Sequence, residues 1–98
     1  MKKTCAEIEV KLVPVLRRYG VRKAVLFGSF AKGSAHENSD VDLLVDSGLK
    51  GLSFVGLIED IRQALDDTEV DVLDVAHIKQ GSLVDREIRR TGIRIYEA

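Results

Sequence analysis

Apolar residues recur at helical spacing in the first part of the chain. Between residues 5 and 19 they stand three or four positions apart, with charged residues between them, which predicts a helix. Thr4 is placed to act as its N-cap and Gly20 as its terminator. Pro14 lies inside this pattern, so we expect the helix to kink there or to break one residue earlier.

Two further segments show the same helical period. Residues 52–65 form a long segment, and a shorter one, which contains Leu83, Val84 and Ile88, ends at Gly92. The apolar residues that we expect on one face of the longer helix are Leu52, Val55, Ile58, Ile61 and Leu65.

Four other stretches have the character of β-strands. Residues 21–27 become apolar after a short basic start, residues 70–75 and 93–96 are short segments rich in Val and Ile, and residues 41–46 alternate apolar with polar side chains. Residues 28–39 are rich in Gly, Ser and Asn, which is typical of a turn or loop. The order of elements predicts an α/β (α+β) fold, in which helices pack on a small mixed β-sheet of about four strands.

Composition narrows the class of protein. A chain of 98 residues should form one domain, residues 1–98, and its 45% hydrophobic and 32% charged residues are ordinary for a water-soluble globular protein. The net charge of −1 argues against a nucleic-acid scaffold that relies on a broad basic surface. A single cysteine, Cys5, excludes an internal disulfide and fits the cytoplasm. We expect neither a signal peptide nor a membrane span.

The chemistry of the chain centres on an Asp-x-Asp motif. Asp40 and Asp42 open the second predicted strand, so both side chains leave one face, about 6.6 Å apart along the chain. At an effective dielectric constant near 20, two such charges repel by about 2.5 kcal/mol. Mg²⁺ would offset this repulsion, because it prefers oxygen ligands and takes one or two carboxylates together with substrate phosphates. For this motif alone, a solvated strand face is the alternative.

A Gly-Ser pair supplies the second half of the pattern. Gly28 at the end of a strand lets the backbone approach a phosphate, and Ser29 adds a hydroxyl donor or caps a short helix. Lys32 is close enough in sequence to assist as a mobile positive charge. For Gly-Ser alone, an ordinary turn is the alternative. Gly-Ser, ten intervening residues and Asp-x-Asp together favour metal-dependent chemistry on a nucleoside triphosphate.

The run GSFAKGSAHENSDVDLLVD, residues 28–46, resembles the signature of the DNA polymerase beta-like nucleotidyltransferase superfamily. The short chain, the strand that begins Val70-Asp71 and the closing segment Ile93-Arg94-Ile95-Tyr96-Glu97 are similar to its minimal nucleotidyltransferase (MNT) branch, of the MntA antitoxin type. The resemblance implies the polymerase beta-like nucleotidyltransferase fold. It also implies transfer of a nucleotidyl group to an acceptor hydroxyl, with release of pyrophosphate.

The resemblance further implies roles for individual residues. Gly28 and Ser29, with Lys32 assisting, would hold the triphosphate, while Asp40 and Asp42 would bind Mg²⁺, two ions in all. A third carboxylate from the later strand would share the metal or activate the acceptor. The sequence offers two candidates, Asp71 and Asp74, which lie on opposite faces of that strand. Likeness to the family's third-strand pattern favours Asp71.

The resemblance also suggests a partner. MNT proteins of this kind resemble the antitoxin of a toxin–antitoxin pair whose toxin is a HEPN-domain protein, and the acceptor would then be a tyrosine hydroxyl of the toxin that receives AMP from ATP. A second copy of the chain is the other means of completing the site. Two alternative functions stay open: an inactive module that neutralises its partner by contact, and nucleotidyl transfer to a small molecule. The base preference, acceptor and oligomeric state are not specified by the sequence.

Overall fold

The computed structural model describes residues 4–28 and 40–98. Its helices and strands, in chain order, are α1 (Cys5–Arg18), β1 (Lys23–Phe27), β2 (Val41–Asp46), α2 (Leu52–Ala64), β3 (Val70–Asp74), a short 3-10 helix (Val75–His77), α3 (Leu83–Thr91) and β4 (Ile93–Glu97). The described part of the chain therefore confirms the predicted α/β class, with three α-helices and a four-stranded mixed sheet.

The strands lie in the order β3-β2-β1-β4. β1 runs antiparallel to both β2 and β4, whereas β2 and β3 are parallel and are joined by the crossover helix α2. Because β1 is antiparallel to its neighbour, the end of β1 and the beginnings of β2 and β3 meet at one edge of the sheet. This topology places the Gly28, Asp40–Asp42 and Asp71 segments together.

Helix α1 runs uninterrupted through Pro14, so the expected break is wrong. A proline removes the hydrogen bond to the carbonyl four residues earlier, which here belongs to Val10. Val10 is 71% exposed and Pro14 lies on the exposed side as well, so water can hydrate this carbonyl. The predicted N-cap is confirmed: the Thr4 hydroxyl accepts a hydrogen bond from the backbone N–H of Glu7 at 3.1 Å.

Helices α1 and α2 pack on the same face of the sheet and enclose the main core. Its fully buried members come from both helices and from the alternate positions of β1 and β2, and they include Ile8, Leu12, Leu16, Leu26, Val41, Leu43, Val45, Leu57, Ile61 and Leu65. Helix α3 lies on the opposite face, where Gly92 at its end packs close to Val25 of β1. No described helix is long and apolar enough to cross a membrane.

The buried face of α2 differs from the predicted one. Ile61 and Leu65 are fully buried as predicted, but Leu52 and Val55 are 88% and 57% exposed, and Leu57, which was not predicted, is fully buried. The cause is the contact with the end of α1, where the Tyr19 hydroxyl donates to Asp60 at 2.6 Å. The Tyr19 ring also lies against Gly56, where a Cβ would come within 3.2 Å of the hydroxyl oxygen. This contact turns the Gly56–Asp60 side of α2 toward α1.

Candidate active site

Two of the predicted carboxylates are direct neighbours across the parallel strands. In the register of β2 and β3, Asp42 pairs with Asp71, and on its other side Asp42 pairs with Phe27 of β1. Adjacent strands stand about 4.8 Å apart, so side chains on one face of such a pair lie within reach of a shared ligand. Asp42 is half-buried, whereas Asp71 and Asp40, which immediately precedes β2, are exposed.

The negative charge at this edge acts most strongly on Asp42. Burial raises the pKa of its carboxyl above the ordinary value, and the charges of Asp71 and then Asp40 raise the pKa further. The charges of Asp71 and Asp40 therefore act on Asp42, and a cation bound at this edge would offset the repulsion.

The backbone of Gly28 packs directly against this group. Gly28 follows β1 with φ +74°, and a Cβ built on it would lie inside van der Waals contact of the Asp42 Oδ2 atom. A glycine is required for two separate reasons: the left-handed backbone disfavours a side chain, and the space that a side chain would need holds the carboxylate. The position of the Asp42 carboxylate therefore depends on the absence of a side chain at residue 28, and we call this contact the Gly28–Asp42 unit.

We expect Gly28→Ala to lower nucleotidyl transfer by about tenfold to a hundredfold, because the new methyl group must displace the Asp42 carboxylate, and misplacement of about 1 Å is costly to catalysis. The matched control is Gly48→Ala. Gly48 also has positive φ, +68°, but an added Cβ there meets no atom within 4 Å. Both variants should lose about 1 kcal/mol of stability from backbone strain. Initial rates and thermal melts measure the two effects, and equal activities in the two variants would contradict the proposed unit.

Two predicted phosphate-binding residues, Ser29 and Lys32, lie outside the described residues. Their roles stay predictions that rest on the sequence pattern and on the family resemblance.

The other candidate for the third carboxylate, Asp74, is occupied elsewhere. Asp74 is 4% exposed and accepts hydrogen bonds from the Ser47 hydroxyl, from the Ser47 N–H at 3.2 Å and from the Ala76 N–H at 3.0 Å. Burial alone would raise the pKa of this carboxyl, but these hydrogen bonds and the nearby His77 together lower it below the ordinary value. Asp74 lies on the core face of the sheet, at the opposite ends of β2 and β3 from Asp42, and it ties these two ends together.

The sequence pattern did not identify two of these contacts. Nothing in the sequence pairs Ser47 with Asp74, because the bond spans 27 positions and depends on the register of two strands. The Gly28–Asp42 contact has a partial signal, since a glycine directly after an apolar strand precedes Asp-x-Asp, but the contact itself requires the antiparallel pairing of β1 and β2.

The carboxylates at this edge fit a hard divalent cation. Within residues 4–28 and 40–98, no three Asp, Glu, His or Cys side chains are grouped closely enough to enclose a metal ion by themselves. The adjacent Asp42 and Asp71 nevertheless provide an all-oxygen donor set at one edge, with Asp40 close by. Mg²⁺ commonly takes one or two carboxylates and completes its shell with water and substrate phosphates. The residues present therefore fit Mg²⁺ as an ion shared between protein and nucleotide.

A cavity of about 260 Å³ lies at the opposite edge of the sheet. Its lining comes from the loop before α2, from Phe54 and from the 3-10 helix, and Asp74 is the only carboxylate among the lining residues. The Asp74 oxygens already accept three hydrogen bonds from Ser47 and Ala76, so the one carboxylate that the described residues bring to this cavity is engaged within the fold. The candidate active site is therefore the edge that carries Asp42 and Asp71.

Comparison with known proteins identifies the family of this chain. Residues 10–98 match the family described as "Polymerase beta, Nucleotidyltransferase". A relative from Methanocaldococcus jannaschii, described as a candidate protein adenylyltransferase, is 40% identical over 70 residues, which cover 68% of this chain and 73% of the relative. The protein adenylyltransferase MntA of Thermococcus cleftensis is 38% identical over 65 residues, which cover 65% of this chain and 66% of the relative.

A solved structure has the same fold. It is the crystal structure of a toxin–antitoxin with AMP-PNP, and one of its chains superposes with a TM-score of 0.75 at 26% identity. The superposition covers 92% of this chain and 73% of the other. The chain therefore has sequence relatives within a known family and a solved structure with the same fold.

Proposed function

The chain belongs to the polymerase beta nucleotidyltransferase family, and we propose that it transfers AMP from ATP to a hydroxyl group of a partner toxin, as the antitoxin of the pair. The observation that carries this proposal is the register pair Asp42–Asp71 at the sheet edge where Gly28 follows β1. These groups provide the minimum that transfer of a nucleotidyl group requires: a place for phosphates and carboxylates for a metal.

Each residue has a proposed role in binding. Asp40 and Asp42 would hold Mg²⁺, and Asp71 would complete the donor set. Gly28 brings backbone within reach of the nucleotide phosphates, with Ser29 and Lys32 as further phosphate ligands. When bound, Mg²⁺ neutralises charge on the phosphate oxygens and on the leaving pyrophosphate. Two ions are the expected number.

The reaction is an in-line displacement at the α-phosphorus of ATP. The acceptor hydroxyl oxygen forms a bond to this phosphorus, while the bond from phosphorus to the α,β-bridging oxygen breaks and pyrophosphate leaves with the electron pair. Asp71 is exposed and next to Asp42, so it is placed to accept the hydroxyl proton. Asp74 has no part in this step, because its carboxylate is buried on the other face.

The names of similar proteins support the proposed acceptor. Both relatives are described as adenylyltransferases of proteins, the first as a candidate, and the solved neighbour is a toxin–antitoxin with an ATP analogue. Together with the MNT resemblance, they favour ATP as the donor, a HEPN-domain toxin as the partner and a tyrosine hydroxyl as the acceptor. The need for ATP and the presence of a single cysteine, which cannot form a disulfide within the chain, both fit the cytoplasm.

Labelled ATP tests the proposed reaction. The protein is incubated with Mg²⁺ and its genomic neighbour, once with ATP labelled at the α-phosphate and once with ATP labelled at the γ-phosphate. Transfer of AMP should label the neighbour only from the α-labelled nucleotide. Chelation of Mg²⁺ by EDTA should abolish the labelling, and added Mg²⁺ should restore it.

Two other results would contradict the proposal. Label from the γ-phosphate would indicate a kinase. Neutralisation of the neighbour without any transfer of label would indicate a binding module that acts by contact alone.

A further inference from the structure

Two leucines lie side by side on the same face as the candidate catalytic carboxylates. Leu44 of β2 pairs with Leu73 of β3, directly behind the Asp42–Asp71 pair in the parallel register. Both are half-buried, so each keeps part of its apolar surface accessible to solvent. Neither belongs to the main core or packs against it. We call Leu44 and Leu73 the leucine pair.

On the neighbouring strand β1, the apolar side chains of this face are covered. Val25 and Phe27 of β1 also stand outside the main core, yet they are only 7% and 8% exposed. Helix α3 packs against β1, and its terminal Gly92 lies close to the Val25 side chain. The leucine pair, farther from α3, keeps more exposure. An apolar surface therefore continues from the covered part of this face to the carboxylates.

The distance from the leucine pair to the carboxylates is that of one repeat of the strand. Two residues along a strand span about 6.6 Å. This is about the reach of a tyrosine residue from its Cα atom to its hydroxyl oxygen. A phenol ring that lies along β2 and β3 over the leucine pair would therefore bring its hydroxyl to Asp42 and Asp71.

We propose that Leu44 and Leu73 bind the ring of the acceptor side chain and so make the enzyme select a phenolic hydroxyl over an aliphatic one. This inference rests on the proposed function and adds to it the residues that determine acceptor specificity. Aromatic rings gain most from contact with apolar side chains because they bury a large area at small entropic cost. A serine or threonine at the same place would leave the leucine pair uncovered and gain nothing from it.

Substitutions in the leucine pair test this inference. Leu44→Ala and Leu73→Ala remove the apolar surface of the leucine pair, whereas Leu73→Met keeps it. Leu52→Ala, at an 88% exposed position on α2, is the matched control. Each variant is assayed with α-labelled ATP, Mg²⁺ and two synthetic peptides that differ at one position, where one carries tyrosine and the other serine. Binding of Mg²⁺–AMP-PNP and the thermal melt are measured for every variant, so that damage to the fold or to the nucleotide site is detected.

The wild-type protein should label the tyrosine peptide far more efficiently than the serine peptide. In the two alanine variants, kcat/KM for the tyrosine peptide should fall by about tenfold or more, mainly through KM, since a change in apolar contact has effects of this order on specificity. Binding of AMP-PNP should not change. Leu73→Met and Leu52→Ala should retain the wild-type preference.

Three results would overturn the inference. The wild-type protein could show no preference between the peptides at millimolar concentration, the alanine variants could keep the full preference for tyrosine, or the Leu52→Ala control could lose it as they do. In each case, labelling of the genomic neighbour by the wild-type protein would show that the proposed function still stands. Failure to transfer AMP to any of these acceptors would overturn both.

Discussion

Asp42→Asn should reduce nucleotidyl transfer by about a thousandfold while it makes the metal-free protein more stable. The loss is of the size expected when a group that stabilises developing charge is removed, because Asp42 is the carboxylate that Gly28, Asp40 and Asp71 all adjoin. The gain in stability has the same origin. Burial and two neighbouring negative charges oppose ionisation of Asp42, and asparagine carries no charge.

The expected gain in the free energy of unfolding is about 1 kcal/mol, less than the Coulomb estimate for close charges because Asp40 and Asp71 are exposed and screened by water. In a domain of this size, 1 kcal/mol corresponds to a rise of about 5 °C in Tm. Thermal melts in EDTA measure it. Added Mg²⁺ and AMP-PNP should then stabilise the wild-type protein more than the variant.

The pH dependence of this gain has a definite sign. The pKa of Asp42 is raised in the folded state, so between the ordinary carboxyl pKa and the raised value the folded state binds more protons than the unfolded state. The wild-type protein is therefore penalised fully above the raised pKa, and the penalty fades as pH falls through it. The advantage of Asp42→Asn should be present at neutral pH and shrink in acid.

Asp46→Asn is the matched control for these measurements. Asp46 lies on the same strand and face as Asp42, but at the far end of β2, where it forms an ion pair with Arg22 at 3.4 Å. This substitution should leave transfer almost unchanged and should not stabilise the protein. If Asp46→Asn abolished transfer as Asp42→Asn does, the site would be misplaced along the strand.

Asp71→Asn should lower the rate of transfer with little effect on stability, whereas Asp74→Asn should lower stability. Asp71 is exposed and adjoins Asp42, so Asp71→Asn should lower transfer by about a hundredfold or more and leave stability unchanged or slightly higher. Asp74 is buried and accepts three hydrogen bonds, so Asp74→Asn should cost about 2–3 kcal/mol of stability and lower Tm by about 10–15 °C.

The stabilisation that Asp74 provides also depends on pH, with the opposite sign to that of Asp42. Because the pKa of Asp74 is lowered in the folded state, its contribution is complete above the ordinary carboxyl pKa and is lost as pH falls through the lowered value. The difference in Tm between the wild-type protein and Asp74→Asn should therefore be largest near neutral pH and should shrink in strong acid.

Rates are compared per folded molecule, at a temperature where both variants are folded. Asp74→Asn should then retain most of the wild-type transfer rate, while Asp71→Asn should not. The reverse outcome, an inactive Asp74→Asn with a normal melt and an active Asp71→Asn, would move the third carboxylate to Asp74 and contradict the role proposed here for Asp71.

The order of helices and strands could be predicted from the sequence because each depends on a local period. Alternation along residues 41–46 places Asp42 on the face opposite Val41 and Leu43, and the structure has the same alternation of burial. For Asp71 and Asp74, the same rule predicts only that they lie on opposite faces. Which of the two lies beside Asp42 depends on the neighbouring strand and its register.

The predictions for α2 and for Pro14 were wrong because they, too, depend on contacts that local spacing does not contain. The apolar residues of α2 allow two overlapping faces, one with Leu52 and Val55 and one with Leu57. Local spacing does not distinguish them, and the contact of Tyr19 with Asp60 and Gly56 does. Pro14 was expected to kink α1 or to break it one residue earlier. It does not break the helix, and the carbonyl that loses its hydrogen bond belongs to Val10, which is exposed.

The sequence by itself thus determined the elements of this protein and the face of β2 on which Asp42 lies, because these follow from backbone geometry over a few residues, and its motif pointed to the family. Only the tertiary structure decided that Asp71 adjoins Asp42, that Asp74 is bound by Ser47, and that the leucine pair lies behind the carboxylates. These contacts join residues about 27 to 29 positions apart. Their register is set by the packing of the whole sheet, which no local pattern contains.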